Sequence, residues 1–173
     1  PPAGVALAGD QWRDSTGAMF VCTADGSPGT WRRVVAQHPD YANAGGSINL
    51  LARPIRVVDT RPTSTAPLKN GGNRLAPSTN TTFQITGTTV SGVSVPAGAT
   101  GILANITATD TLGSGFFSVF AAGLSPTGTS TVNYTDVSIA NFFMSALSTG
   151  GALTVRCGSN AAHCIIDVMG FLY

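Results

Sequence analysis

Gly101-Ile102-Leu103-Ala104-Asn105-Ile106-Thr107-Ala108-Thr109 sets Ile102, Ala104, Ile106 and Ala108 against Leu103, Asn105 and Thr107. Successive side chains of a strand point to opposite faces, so this alternation marks a strand with one face in a core. The composition agrees. The chain has no glutamate and a single lysine, Lys69, whereas exposed helices are filled with Glu, Lys, Gln and Arg, which lose little rotamer freedom there. Thr, Ser, Val, Ile, Gly and Asn crowd the sequence instead, the vocabulary of strands joined by turns. The chain is expected to be all-β.

Outward from that strand, the same signals recur. Upstream lie Val57 to Thr60, Thr81 to Thr86 and Gly87 to Val95, the last closed by Pro96-Ala97-Gly98. Downstream come Phe116 to Ala121, Thr131 to Tyr134, Ala140 to Ser145, Ala152 to Arg156 and Cys164 to Phe171. Eight or nine short strands at this spacing predict an antiparallel β-sandwich of jelly-roll type over residues 51–173. The last strand is apolar on both faces, as a central strand is. Residues 37–50 hold His38-Pro39-Asp40 and Asn43-Ala44-Gly45-Gly46-Ser47 without periodicity and read as a linker. Residues 1–36 read as a three-strand meander with both tryptophans, Trp12 and Trp31, and Cys22 as a core residue. So small a sheet needs something to pack against, either the main domain or copies of itself, which makes it a candidate oligomerisation unit.

At 173 residues the chain holds one full core and a small extra unit. A hydrophobic content of 43% and a net charge of +1 argue against disorder and against a polyanionic partner, and one lysine cannot build a nucleic-acid footprint. No apolar run approaches the ~18 residues of a membrane span. Pro1-Pro2-Ala3-Gly4 lacks the basic start and apolar stretch of a signal peptide.

Charge is scarce, 10% of residues against a usual figure of about 25%. Yet Arg53, Arg56, Asp59 and Arg61 fall within nine positions, among the strand residues Ile55, Val57 and Val58. Charged groups held beside a packed strand need partners. Asp59, Arg61, Asn105, Asn133, Asn141 and Asp167 are the recurrent polar positions inside apolar strands. They are expected to satisfy one another and loop backbones in a structural network. The competing reading, a carbohydrate or cation site of Asp and Asn oxygens, meets an obstacle: calcium needs six to eight oxygens and no compact loop supplies them. No metal and no cofactor are expected.

Cys157 and Cys164 bracket the tip of a predicted hairpin, where either a disulfide or two thiols is compatible with the sequence. His163 beside Cys164 is not a nucleophilic dyad, because neighbours on one strand point to opposite faces. No Gly-x-Ser-x-Gly, His-Glu-x-x-His or paired-cysteine zinc spacing occurs; with no glutamate, a glycosidase would have only Asp110, Asp136 and a few other aspartates, and these two read as turn residues. No catalytic residue is assigned. Of the amphipathic aromatics, Trp12 and Trp31 suit an interface, while Tyr41, Tyr134 and Tyr173 are of the kind that stack on sugars. Asp110 and Tyr134, and Asn70 and Asn73 in the polar loop 62–80, are the candidate ligand contacts, since loops on a rigid sandwich carry recognition.

Pro54-x-Arg56-Val57-x-Asp59-Thr60-Arg61, then Val95-Pro96-Ala97-Gly98-Ala99, Asn105-Ile106-Thr107, Ser130-Thr131-Val132-Asn133, Ala140-Asn141 and Asp167-Val168-x-Gly170-Phe171 form an ordered series. Together they resemble a β-domain recurrent in secreted actinobacterial proteins and in fibre or tip proteins of phages and contractile injection machines. The resemblance covers about residues 51–173. Gly9-Asp10-x-Trp12 and Phe20-Val21-Cys22-Thr23-Ala24-x-Gly26-x-Pro28-Gly29-Thr30-Trp31 look like a small unit seen beside phage fibre modules. The resemblance implies a tail-fibre or head-fibre module of a virion, homotrimeric, contacting a host-surface glycan or protein and joined to other virion proteins on its N-terminal side. The alternative it leaves open is a secreted, extracellular binding domain attached to a larger exoprotein.

Overall fold

A computed structural model describes residues 3–15, 19–33 and 48–173. The chain divides into two compact units, Pro1–Gly45 and Gly46–Tyr173. In the first, β1 (Gln11–Arg13), β2 (Met19–Ala24) and β3 (Thr30–Arg33) form an antiparallel sheet in that order. Among the described residues Cys22 and Ala6 are its buried apolar ones, and the Trp12 and Phe20 rings meet at 5.2 Å. The expected turn at residues 15–17, the Val34-Val35 end of the third strand, Tyr41 and residues 37–47 of the linker fall wholly or partly outside the described residues.

The second unit contains ten strands among the described residues: β4 (Ile48–Asp59), β5 (Asn80–Gln84), β6 (Thr89–Val90), β7 (Val93–Ser94), β8 (Gly101–Thr109), β9 (Gly115–Ala121), β10 (Val132–Tyr134), β11 (Ile139–Ala146), β12 (Ala152–Cys157) and β13 (His163–Leu172). Eight of them make two four-stranded antiparallel sheets, ordered β11-β8-β13-β4 and β10-β9-β12-β5. One core lies between them. The first sheet contributes Ile55, Ile102, Ala104, Ile106, Ala108, Ile166 and Val168, the second Phe83, Phe117, Leu153 and Val155. The alternation of residues 101–109 is the inside and outside of β8, and β13, apolar on both faces, sits centrally between β8 and β4.

Three expectations are corrected. Ile48 to Leu50, placed in the linker, are strand: they pair with Gly170 to Leu172 of β13. Gly87 to Val95 adds no strand to the sandwich; β6 and β7 form a separate hairpin. Its turn residues Ser91 and Gly92 both have positive φ, 50° and 78°, the geometry whose twist matches a two-residue hairpin. Finally, β12 and β13 are not a hairpin. They lie in opposite sheets, and residues 158–162 carry the chain across the end of the sandwich. The described residues contain no helix long and apolar enough to cross a membrane.

Candidate functional site

The charged stretch of β4 depends on a fault in the ladder. Opposite β13, Val58 pairs with Ile166 and Arg56 with Asp167, so Val57 is an extra, bulged residue. A bulge reverses the parity of everything beyond it. Arg56 and Asp59, three apart and otherwise on opposite faces, therefore share the outer face of their sheet, and both lie on the same pocket. Val57 and Val58 are both fully buried, which is where the regular alternation breaks.

Four charges follow in a chain along this face. Arg56 holds Asp167 with two parallel bonds, Nε to Oδ1 at 2.8 Å and Nη2 to Oδ2 at 3.0 Å. Its Nη1 lies 3.7 Å from Asp59 Oδ2. Arg61 folds back over the strand end and grips Asp59 in the same forked way, at 2.9 and 2.7 Å, while its backbone N–H donates to Oδ1. Asp59 is 2% exposed. Burial would raise its carboxyl, but the Arg61 bonds and charge and the Ser64 hydroxyl outweigh this and hold it below the usual carboxylate value. Each guanidinium is in turn raised, chiefly by the bonds to its own aspartate.

Thr60, between the two clasped residues, faces the other way and is fully buried. Its hydroxyl accepts the Cys164 backbone N–H at 2.9 Å and lies 3.0 Å from His163 Nδ1, while its own N–H donates to the Cys164 carbonyl at 3.0 Å. Asp59-Thr60-Arg61 thus closes the end of β4 on both sides. The charges clasp outward and the hydroxyl ties inward to β13.

The chain then runs beside β4. Leu68 N–H donates to the Val57 carbonyl and Asp59 N–H to the Leu68 carbonyl, which pins the start of loop 62–80 along the sheet edge. Leu75, fully buried, bonds to the Ala162 carbonyl and pins its far half. On the opposite flank, Arg53 Nη2 donates to the Ser91 carbonyl at 2.8 Å and tethers the β6–β7 turn. Between loop and hairpin opens a pocket of about 300 Å³, lined by Arg56, Asp59 and Arg61, by the run Thr63-Ser64-Thr65, and by Ala66 and Val90. It offers fixed N–H donors, hydroxyls and a small apolar wall, and its charged side chains, with Asp167, sum to zero.

The six residues expected to form one polar network divide into groups. Asp59 with Arg61 and, through Arg56, Asp167 are joined. Asn105 is opposite Asp167 in the ladder. Asn133 and Asn141 instead serve the 130–131 loop, bonding the Ser130 hydroxyl and the Thr131 carbonyl. Among the candidate ligand contacts, Asn70 and Asn73 are exposed on a 3-10 turn, Asn70–Gly72, where each side-chain amide donates to the other's carbonyl. Asp110 is exposed with φ of 47°, and its carbonyl accepts from Arg74 Nε at 2.6 Å. Tyr134 is a correction. It is 2% exposed because β10 turns it into the core against Phe117, and its hydroxyl donates to the Asn160 carbonyl, so no ligand outside the protein reaches it.

Cys157 and Cys164 are free thiols, as is Cys22. Both point into the core, and burial raises the pKa of each, which disfavours a thiolate at neutral pH. The Cys157 sulfur is satisfied by the Asn160 carbonyl at 3.3 Å and the Tyr134 hydroxyl at 3.4 Å. His163 and Cys164 are neighbours on β13, and the buried His163 ring lies 3.0 Å from the Thr60 hydroxyl.

The outer face of the β11-β8-β13-β4 sheet carries a second feature. Leu50, Gly170, Leu103 and Met144 stand in register across its four strands, and Arg56, Asp167, Asn105 and Phe142 form another row across them. Leu50 is 74% exposed, Met144 54% and Phe142 52%. Compared with profiles of known protein families and with curated proteins, the sequence matches none.

Proposed function

We propose that the chain is a non-catalytic adhesive module of a phage fibre, a jelly-roll sandwich that self-associates as a homotrimer and meets a host-surface glycan or protein with its loops. The observation that carries this reading is the row Leu50–Gly170–Leu103–Met144 with Phe142 beside it on the outer face of the sandwich, where Leu50, Met144 and Phe142 are exposed and Leu103 is half-buried. Contiguous exposed apolar side chains rimmed by polar ones mark association surfaces. Asp167, Asn105 and Arg56 supply such a rim in the neighbouring row. The jelly-roll reading draws on the strand order: numbered 1 to 8 in chain order without the β6–β7 hairpin, the sheets run 1-8-3-6 and 2-7-4-5. In a trimer, three weak loop contacts per fibre, repeated over several fibres, hold firmly without any single tight site.

Light scattering on the purified protein at micromolar concentration tests the assembly. A mass of three chains is expected, falling towards one chain in a Phe142→Ser, Met144→Ser variant that keeps its β-sheet spectrum. A monomeric parent protein would sink the fibre reading and favour the secreted, extracellular binding domain. That alternative draws on one observation: the Asp59–Arg61 clasp closes within a single chain and needs no neighbour.

A further inference from the structure

Resting on the glycan-adhesion reading, we propose that the pocket between the Arg61–Ala66 segment and Val90 is a saccharide site that recognises ring hydroxyls. Each guanidinium has five N–H donors. Arg56 and Arg61 each use two of them on an aspartate, at 2.7 to 3.0 Å, which fixes both planes; the other N–H groups are in no hydrogen bond among the described residues, although Arg56 Nη1 also faces Asp59 Oδ2 at 3.7 Å. Because Asp59 and Asp167 already neutralise these arginines, a free anion would have to displace a bonded carboxylate to gain full charge pairing. A hydroxyl pays no such penalty, since it takes an N–H bond and returns a proton to an acceptor.

Acceptors are present. The side-chain hydroxyls of Thr63 and Thr65 enter no internal hydrogen bond among the described residues, whereas Ser64 between them is engaged with the Ala66 N–H and the Asp59 carboxylate. Val90 and Ala66 add an apolar wall for the C–H face of a ring. About 300 Å³ is the lower end of small-molecule pockets, room for a terminal sugar rather than a run of them. Rigidity favours binding too. The floor is the end of β4, one wall is held by the Leu68–Val57 and Leu68–Asp59 backbone bonds, and the other by Arg53. Little has to be ordered when a ligand enters.

The test uses the full chain on a printed array of neutral and acidic oligosaccharides, with inorganic phosphate as competitor in a second arm. The variants are Thr63→Val with Thr65→Val, which removes two exposed hydroxyls at constant shape, and Val90→Trp, which fills the recess. Binding to a neutral saccharide that is indifferent to phosphate, and weakened about tenfold or more in T63V/T65V at unchanged Tm, is the expected result. Should V90W fail to fold, T63V/T65V decides alone. Binding that phosphate abolishes overturns the hydroxyl-recognition proposal. Binding kept in T63V/T65V but lost in Asn70→Ala with Asn73→Ala overturns the pocket and leaves the glycan reading standing. A chain that binds no saccharide on the array overturns the proposal together with the reading beneath it.

Discussion

His163 and Asp59 lie two residues apart in space, through Thr60, yet acid acts on them by different routes. The His163 ring is buried, and burial, with the Arg74 cation, lowers its pKa despite Asp110 and Asp59 pulling the other way. The unfolded chain therefore takes up a proton that the folded chain refuses. Stability contributed by the neutral ring is complete above the unfolded value of about 6.5 and is lost as pH falls below it. Asp59 has a folded pKa below its unfolded one, so its contribution is present above about pH 4 and is lost only as pH drops further through the folded value. Urea unfolding should show a lower midpoint at pH 5.5 than at pH 7.5 in the parent protein, and a much smaller difference in His163→Gln. Asp59→Asn should keep the His163 step but start from a lower stability, by about 2–3 kcal/mol, because charge-assisted bonds to a buried group are lost. If His163→Gln kept the full drop, the ring would not be the group responsible.

Elements show where a sequence stops being informative. The alternation of residues 101–109 gives β8 its inside and outside, because a regular strand has a period of two and nothing else is needed. Scarcity says of Asp59 and Arg61 that charges beside a packed strand must pair, and leaves open whether the pairing locks the fold or builds a site; the place of Asp59-Thr60-Arg61 at the head of a series of strand motifs favours the lock. The partner Arg56 is harder, since its access to Asp59 depends on the Val57 bulge, whose only trace in the sequence is two adjacent apolar β-branched residues. Tyr134 looks like a sugar platform in composition and is core in fact, because facing is set by the register of β10 on β9, which no local pattern states. The hairpin expected at Cys157–Cys164 fails for a similar reason, since a five-residue connection suits a hairpin and a crossover between sheets equally well. The pocket joins residues 56–66 to Val90 through tertiary folding and has no motif at all. Gly170 tests how closely β4 and β13 are matched. A register shift falls just before it, between Val168 and Gly170, and a Cβ there would lie 2.8 Å from the Asn49 carbonyl oxygen and 3.5 Å from the Leu50 Cα, both backbone atoms. Gly170→Ala should cost about 1–3 kcal/mol in denaturant unfolding, since the strand itself must move. A neutral outcome would mean that the first half of β4 is not held against β13.

For the whole molecule, the question is which unit carries the stability. Gly46–Tyr173 encloses a core fed by eight strands of two sheets, with its edge loops pinned at Leu68 and Leu75 and its strand end clasped at Asp59-Thr60-Arg61. Pro1–Gly45 has one three-stranded sheet, Cys22 and Ala6 as its buried apolar residues among those described, and a buried Trp31 Nε1 with no hydrogen-bond partner there. A lone sheet of this size is marginal in water. An unpaired buried donor subtracts about 1–3 kcal/mol more. Residues 46–173 expressed alone should therefore unfold in one cooperative transition with a Tm within about 5 °C of the full chain, a shift equal to roughly 1 kcal/mol for a domain of this size. Residues 1–45 alone should show no cooperative transition. A large Tm loss in the isolated sandwich would assign the short unit a share of the core, and with it a structural role that its own small buried cluster does not explain. Retention of Tm would mean that the sandwich draws no measurable stability from the short unit.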